Sequence, residues 1–317
     1  MSTELKLRRG NTLQHNNFTG ANGEVTLNTD TKELHIHDGS TKGGFPIGGR
    51  PIGSIEQLRT TKARRDGEQV SLTSYYAGSN KGGGILVWDA ASTAADDGGV
   101  TFAVTGVTTG RWVRQLDGEL DLYCFGGKCD GVTDDTMAAK LSASFGYVRI
   151  PSNSTVLITD TIEFNISTGG YVVGDGDNSV IMWRPPSARP LFKLVRSSTA
   201  GWKKLQLQSF RVLTNVLNAG FVAYVEEQRG GVGPHVVGGF DMCLIDDVRA
   251  EVVGSGYYTG LLHTKNAGGN TISNTSCISH PSGQADALTA GIFIENTSPY
   301  FVIRALQMNN FYLQRFY

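Results

Sequence analysis

Between positions 226 and 251 the chain carries Glu226, Glu227, Asp241, Asp246, Asp247 and Glu251. Paired carboxyl groups are what acetal hydrolysis needs: ~5–5.5 Å apart in a retaining glycosidase and ~6.5–9.5 Å apart in an inverting one. Strands stacked in parallel at ~4.8 Å would bring acids on adjacent or next-adjacent strands near either spacing. Glu226, Asp246 and Asp247 are the candidates carried forward as catalytic. Against them, Asp246 and Asp247 are sequence neighbours that can face opposite ways on a strand, and acids in turns commonly just accept backbone N–H bonds. Elimination chemistry would instead use a Lys, Arg or His base beside a bound carboxyl group, and His263 is the position that suggests it. Tyr171, Trp202, Tyr257 and Tyr258 could stack on sugar rings, or simply pack.

Other motifs are weaker. His35 and His37 lie two apart, on one face of a strand, and three copies around an axis would present six imidazoles to one metal ion. The ordinary reading is histidines that pack a turn, so no metal and no cofactor is expected. Lys81-Gly82-Gly83-Gly84 lacks the spacing of a phosphate loop and sits between strands, which makes it a hairpin turn. Cys124, Cys129, Cys243 and Cys277 are too few for a disulfide scaffold and are expected as buried thiols.

The elements that must position these residues repeat. One pattern is apolar, two mostly polar residues, then a residue that packs: Leu207-Gln208-Ser209-Phe210, Ile245-Asp246-Asp247-Val248, Ile272-Ser273-Asn274-Thr275 and Met308-Asn309-Asn310-Phe311. A second is Gly followed by two apolar residues: Gly220-Phe221-Val222, Gly260-Leu261-Leu262 and Gly291-Ile292-Phe293. They alternate strictly, as coils of a solenoid with two recurring strands each would require, and they supply about three to four turns. The 41 glycines in 317 residues are nearly twice the usual ~7% and have no collagen period, which fits short strands joined by tight turns. An all-β chain follows. With 28 Lys plus Arg against 29 Asp plus Glu the net charge is −1, so no global field recruits nucleic acid, and no apolar run reaches the ~18 residues of a membrane-spanning helix.

Three stretches carry family resemblances. FGGKCDGVTDDTMAAKLSASFGYVRIPSNSTVLITDTIEF, residues 125–164, resembles the opening of the pectate-lyase-like right-handed β-helix family, with its Phe-Gly-x-x-x-Asp-Gly-x-x-Asp-Asp-Thr turn, capping helix and Ile-Pro strand end. Here Thr133 and Asp134 are expected to cap the helix and Asp130-Gly131 to turn the chain. Residues 5–47 resemble the amino-terminal module of phage major tropism determinants and tail fibres, through Arg9-Gly10, Phe18-Thr19-Gly20, Gly23-Glu24, His37-Asp38-Gly39 and Gly43-Gly44-Phe45-Pro46. Residues 51–118 look like the collar that precedes the β-helix in phage tailspikes, with a Tyr75-Tyr76 strand, a Trp88-Asp89 strand and a Gly110-Arg111-Trp112 strand. Ser54 and Gln57 suggest a capping box at its start.

These resemblances imply a homotrimeric phage tailspike located in the virion tail and synthesised in the host cytoplasm. Residues 1–50 would be the attachment and trimerisation module, docking on a tail or baseplate protein, residues 51–119 a β-rich collar with its own core, and residues 120–317 the start of a right-handed parallel β-helix. The implied function is receptor binding at a host surface polysaccharide, without nucleic acid or membrane insertion. The alternative is a capsule or O-antigen depolymerase, glycosidase or lyase, with its active site in these coils. Phe301 to Tyr317 reads as strand to the last residue, so the solenoid is expected to continue past Tyr317 and to hold its chemistry there.

Overall fold

The structure, a computed structural model, describes residues 6–47, 50–116, 118, 120–165, 169–197, 204–216, 218–228, 243–252, 258–265, 270–279, 291–295 and 306–315. The chain forms two compact units, residues 1–115 and 116–317.

The first unit begins with β1 (Arg8–Gly10), α1 (Thr12–Asn17), β2 (Val25–Asn28), β3 (Leu34–Ile36) and β4 (Phe45–Ile47), a sheet in the order β1-β2-β3-β4. The hairpin β2–β3 stands where alternation placed it, and β1 adds to it in parallel. Asn11 starts α1: its side chain accepts the Gln14 N–H while the Gln14 side chain accepts the Asn11 N–H, both at 2.9 Å. The sheet is inverted. Thr26, Asn28, His35 and His37 are buried, whereas Leu34, Ile36 and Ile47 are 38%, 43% and 49% exposed. The register places Val25, Leu27 and Phe45 on that same outer face, opposite Ile36 and Leu34.

A second sheet follows: β5 (Arg50–Ile52), α2 (Ile55–Thr60), β6 (Gln69–Leu72), β7 (Gly84–Asp89), β8 (Thr101–Ala103) and β9 (Arg111–Arg114), in the order β5-β6-β7-β9-β8. Its core is Ile52, Leu58, Val70, Leu86, Phe102 and Trp112, with Trp88 edge-on to Trp112 at 5.2 Å. The expected capping box of α2 is half formed. Ser54 accepts the Gln57 N–H at 3.3 Å, but the Gln57 side chain turns to the Gly53 N–H. The Gly82–Gly84 turn presents carbonyls, not amides, to a buried cation: Arg114 donates to the oxygens of Gly82, Gly83 and Gly99. A phosphate cradle would require the opposite polarity. Buried Glu33 and Glu68 meet Arg64, at 3.5 and 3.6 Å, so an ionic cluster joins the two sheets across what the sequence suggests is only a short link.

The second unit opens with a 3-10 turn at Leu122–Phe125, then β10 (Asp130–Asp134) and α3 (Thr136–Ser144). The acidic motif divides its labour differently from the expectation. Asp130 accepts the N–H groups of Val132 and Thr133 and Asp134 caps Thr136, so Thr133 is a donor rather than a cap. Asp135 turns inward to the N–H groups of Lys128 and Cys129, and burial raises its pKa. Ala138, Ala139 and Ala143 are the buried side of α3, whose helix covers the first coil as a solenoid end requires.

Strands then alternate: β11 (Tyr147–Arg149), β12 (Ser154–Ile158), β13 (Ile162–Phe164), β14 (Gly170–Trp183), β15 (Phe192–Ser197), β16 (Leu205–Thr214), β17 (Asn218–Gln228), β18 (Cys243–Val252), β19 (Tyr258–Lys265), β20 (Asn270–Ser279), β21 (Ile292–Glu295) and β22 (Leu306–Arg315). They form two parallel sheets, β10-β12-β14-β16-β18-β20-β22 with β11 beside β14, and β13-β15-β17-β19-β21. This is a parallel β-helix. Apolar residues stack rung on rung inside, Val148–Val172–Leu207–Ile245–Ile272 in one column and Ile162–Phe192–Ala223–Leu262–Ile292 in another.

The long sheet has seven rungs among the described residues, more than the three to four turns the two motifs supply, because β10, β12 and β14 lack the motifs. Each long strand is also bent. The third motif residue takes a left-handed conformation in every coil that has the motif: Ser209 (φ 55°), Asp247 (53°), Asn274 (47°) and Asn310 (56°), with Asn153 (53°) at the bend before β12. Each motif therefore marks a corner joining two legs, giving three legs per coil where two were expected. Asn and Asp tolerate this conformation better than other non-glycine residues, and here their side chains also ladder. Asn274 donates to Asp246 at 3.1 Å and Asn310 to Asn274 at 3.2 Å.

Asn274→Val should cost ~1–3 kcal/mol, because a β-branched residue is strained at positive φ. Asn274→Gly should cost less, and thermal unfolding followed by circular dichroism compares the two. Equal losses would contradict the corner assignment.

Candidate functional site: an outward cleft on the shorter β-helix sheet

Residues that alternate with the buried column of the β13–β21 sheet face outward. The register lines up Glu163, Lys193, Tyr224, His263 and Phe293 on successive rungs. Beside this column, Tyr224 donates its phenol proton to Glu226 Oε2 at 2.8 Å, and Lys265 Nζ lies 3.8 Å from Glu226 Oε1. Lys193 pairs with Glu163 at 3.2 Å. The His263 ring is edge-on to Tyr224 at 4.9 Å and to Phe293 at 4.8 Å, with Phe221 at 5.3 Å. Thr161, Ala188, Arg189 and Pro190 complete one wall of a cleft of about 560 Å³ over these groups.

One glycine makes the wall possible. Gly220 holds φ +87°, and a Cβ there would lie 2.3 Å from the Arg189 carbonyl oxygen. Any side chain would push β17 off the preceding loop and open the cleft floor. Arg189 is in turn fixed by Asp160, which accepts from Arg189 Nη1 at 2.6 Å and from Lys140 Nζ of α3 at 2.5 Å.

The acids singled out in the sequence fall in different places. Glu226 lines the cleft. Asp246 and Asp247 sit on the other sheet, at a corner: Asp246 accepts from Ser273 Oγ at 2.7 Å and from Asn274, while Asp247 is the exposed left-handed residue itself. Glu251 is tied to Arg211 at 2.5 Å and Arg249 at 3.2 Å. Asp241, Trp202 and Tyr257, and the side chains of Glu227 and Tyr258, lie outside the described residues. Tyr171 Oη lies 3.4 Å from Gln208 Oε1. The other acid lining the cleft, Glu163, stands two rungs and two residues from Glu226, so their Cα atoms are roughly 12 Å apart. Each carboxylate is already paired, Glu163 with Lys193 and Glu226 with Tyr224 and Lys265.

His35 and His37 share a face, as their spacing requires, but the face is the buried one. His37 Nδ1 accepts the Gly20 N–H at 3.2 Å, which leaves the proton on Nε2 to reach Thr26 Oγ1 at 2.9 Å. His35 Nδ1 donates to the Gly43 carbonyl at 2.7 Å, and burial holds its pKa below the ordinary value. Both rings lie beside that of His15, with centroids at 4.8 and 6.4 Å. Cys124, Cys129 and Cys243 are buried thiols.

Sequence reasoning passed over Lys193, Tyr224, Arg189, Phe221 and Phe293. The second motif misleads by one residue per coil: Gly260 pairs with Phe221, not Gly220, and Leu262 pairs with Ile292. Aligning the motif glycines scatters the outward column.

Asp160 gives a pH test. Hydrogen bonds from Lys140 and Arg189 hold its carboxyl at about 2, below the ~3.9 of an unfolded Asp. Its contribution to stability is therefore complete above about pH 4 and lost as pH falls toward 2. The group is 42% exposed, which limits the effect to ~1 kcal/mol or less. Asp160→Asn should lower stability at pH 7 by that amount and converge with the parent near pH 2. A difference undiminished at low pH would contradict the assignment.

Comparison with known proteins accounts for both amino-terminal sheets. The major tropism determinant N-terminal domain matches residues 5–41, and the phage tail protein small four-stranded β-sheet domain matches residues 51–117. The chain is 38% identical over 73 residues to the tail fiber receptor-binding protein of Bordetella phage BPP-1, covering 23% of this chain and 18% of that protein. It is 38% identical over 84 residues to the Mu-like prophage FluMu defective tail fiber protein of Haemophilus influenzae, covering 26% and 13%. The chain thus spans less than a fifth of the length of these curated relatives. Among solved structures, the enzymatically active domain of bacteriophage CBA120 tailspike protein 2 superposes with a TM-score of 0.50 at 17% identity, over 82% of this chain and 43% of that one. That likeness is one of fold. The chain thus carries a major tropism determinant N-terminal domain and a small phage-tail β-sheet domain ahead of a parallel β-helix.

Proposed function

We propose that this chain is the receptor-binding protein of a phage tail, made in the host cytoplasm and assembled as a homotrimer. Residues 1–50 attach it to a tail or baseplate protein, and the β-helix meets a polysaccharide of the host surface. The observation that carries this reading is the order of parts: two phage-tail domains at residues 5–41 and 51–117, then a solenoid whose outer face holds a cleft lined by aromatic and hydrogen-bonding groups. The relative from Bordetella phage is itself described as receptor-binding.

The inverted first sheet supports the trimer. Leu34, Ile36 and Ile47 stand exposed on one face, with buried threonine and histidine on the other. In a lone subunit this arrangement wastes ~25 cal/mol for every Å² of apolar surface left in water, and second and third copies of the chain would cover it. A depolymerase is the second reading, favoured by the Tyr224–Glu226 contact. The ion pairs that engage both cleft acids, Glu163 with Lys193 and Glu226 with Lys265, count against a free hydrolytic pair.

Light scattering should return three times the 34.0 kDa of one chain, and the double variant Leu34→Asp, Ile36→Asp should yield monomers. Parent protein added to sensitive bacteria should block adsorption of phage particles carrying this spike. A stable parent monomer, or adsorption unchanged at saturating protein, would contradict the proposal.

A further inference from the structure

We infer that the cleft over β15, β17 and β19 is the saccharide-binding site of this chain and that it takes a neutral segment of the polysaccharide. This rests on the receptor-binding reading and specifies where and how it operates.

Shape and lining point to sugar. A volume of about 560 Å³ lies within the ~300–1,000 Å³ of small-ligand clefts. The floor holds Phe221, Tyr224 and His263, and Phe293, 38% exposed, extends the rings by one rung. Rings spaced by successive rungs suit the apolar C–H faces of consecutive pyranoses. Glu226, Glu163, Lys193 and Arg189 stand around them as acceptors and donors for ring hydroxyls.

Charge selects the class. The cleft lining has two carboxylates, Glu163 and Glu226, and two permanent cations, Arg189 and Lys193. The cations are already engaged, Lys193 with Glu163 at 3.2 Å and Arg189 with Asp160 at 2.6 Å. Lys265, just outside, faces Glu226. A sugar carboxylate would have to displace one of these partners and would meet the carboxylate left behind. A neutral hydroxyl can share the groups as they stand, since a paired ammonium retains further donors and a paired carboxylate further lone pairs.

The probes are oligosaccharides released from bacterial O-antigens and capsules, neutral and acidic, arrayed and presented to the purified full chain at 0.05 and 0.5 M NaCl. Expected is retention of neutral fragments, unchanged within twofold by salt, and loss of at least tenfold on Phe293→Ala or on His263→Ala. Circular dichroism and mass of both variants should match the parent. Retention confined to acidic fragments, retention indifferent to both substitutions, or no fragment retained would overturn the inference. Should the variants still block phage adsorption as the parent does, the site is wrong while the receptor-binding reading stands.

Discussion

Everything in the second unit depends on one backbone constraint, a residue held at positive φ at the same corner of successive coils. Rungs can stack in register only if each turns through the same angle at the same place. Ser209, Asp247, Asn274 and Asn310 provide that turn. The corner costs strain at every rung, since non-glycine residues at positive φ are disfavoured. Asn and Asp reduce that cost, and the Asp246–Asn274–Asn310 hydrogen bonds couple one corner to the next. With the corners aligned, the aliphatic columns close inside and the outward columns follow on the opposite sheet. The Tyr224–His263–Phe293 column is a consequence of that stacking.

Much of this was legible in the sequence. The apolar-polar-polar-apolar motif aligned four coils with no error of register, because Leu207, Ile245, Ile272 and Met308 pair directly. Sequence did not reveal that the motif is a corner between two legs, since a left-handed Asn and an extended Asn look alike in a list of residues. The acidic motif before α3 was recognised as a family feature, yet the division of labour among Asp130, Asp134 and Asp135 depends on which way each side chain points. Burial sends Asp135 inward, where two backbone amides satisfy it. In the first sheet, period-two alternation gave the strands, while the choice of which face is inside went against hydrophobicity. The polar face is buried because His35 and His37 find partners in Gly43, Gly20 and Thr26.

The site was less legible than the fold. Glu226 was singled out as one of six acids, and the structure gives it a distinct setting beside a phenol and an ammonium group. Asp246 was singled out for the same reason and is part of the corner ladder. The difference is an odd or even position along a strand and the sheet to which that strand belongs. Neither follows from composition, and the one-residue drift of the Gly motif hides it further. The aromatic rings become a cluster only once three coils, joined by long connections, are stacked.

Hydrogen exchange of the assembled protein, with and without purified surface polysaccharide from sensitive bacteria, tests the central claim most directly. Amides of β15, β17 and β19 should gain protection on addition of the polysaccharide, because the bound chain would cover that sheet, while β16, β18 and β20 should exchange as before. Protection confined to the corner strands, or no change in either sheet, would contradict the account.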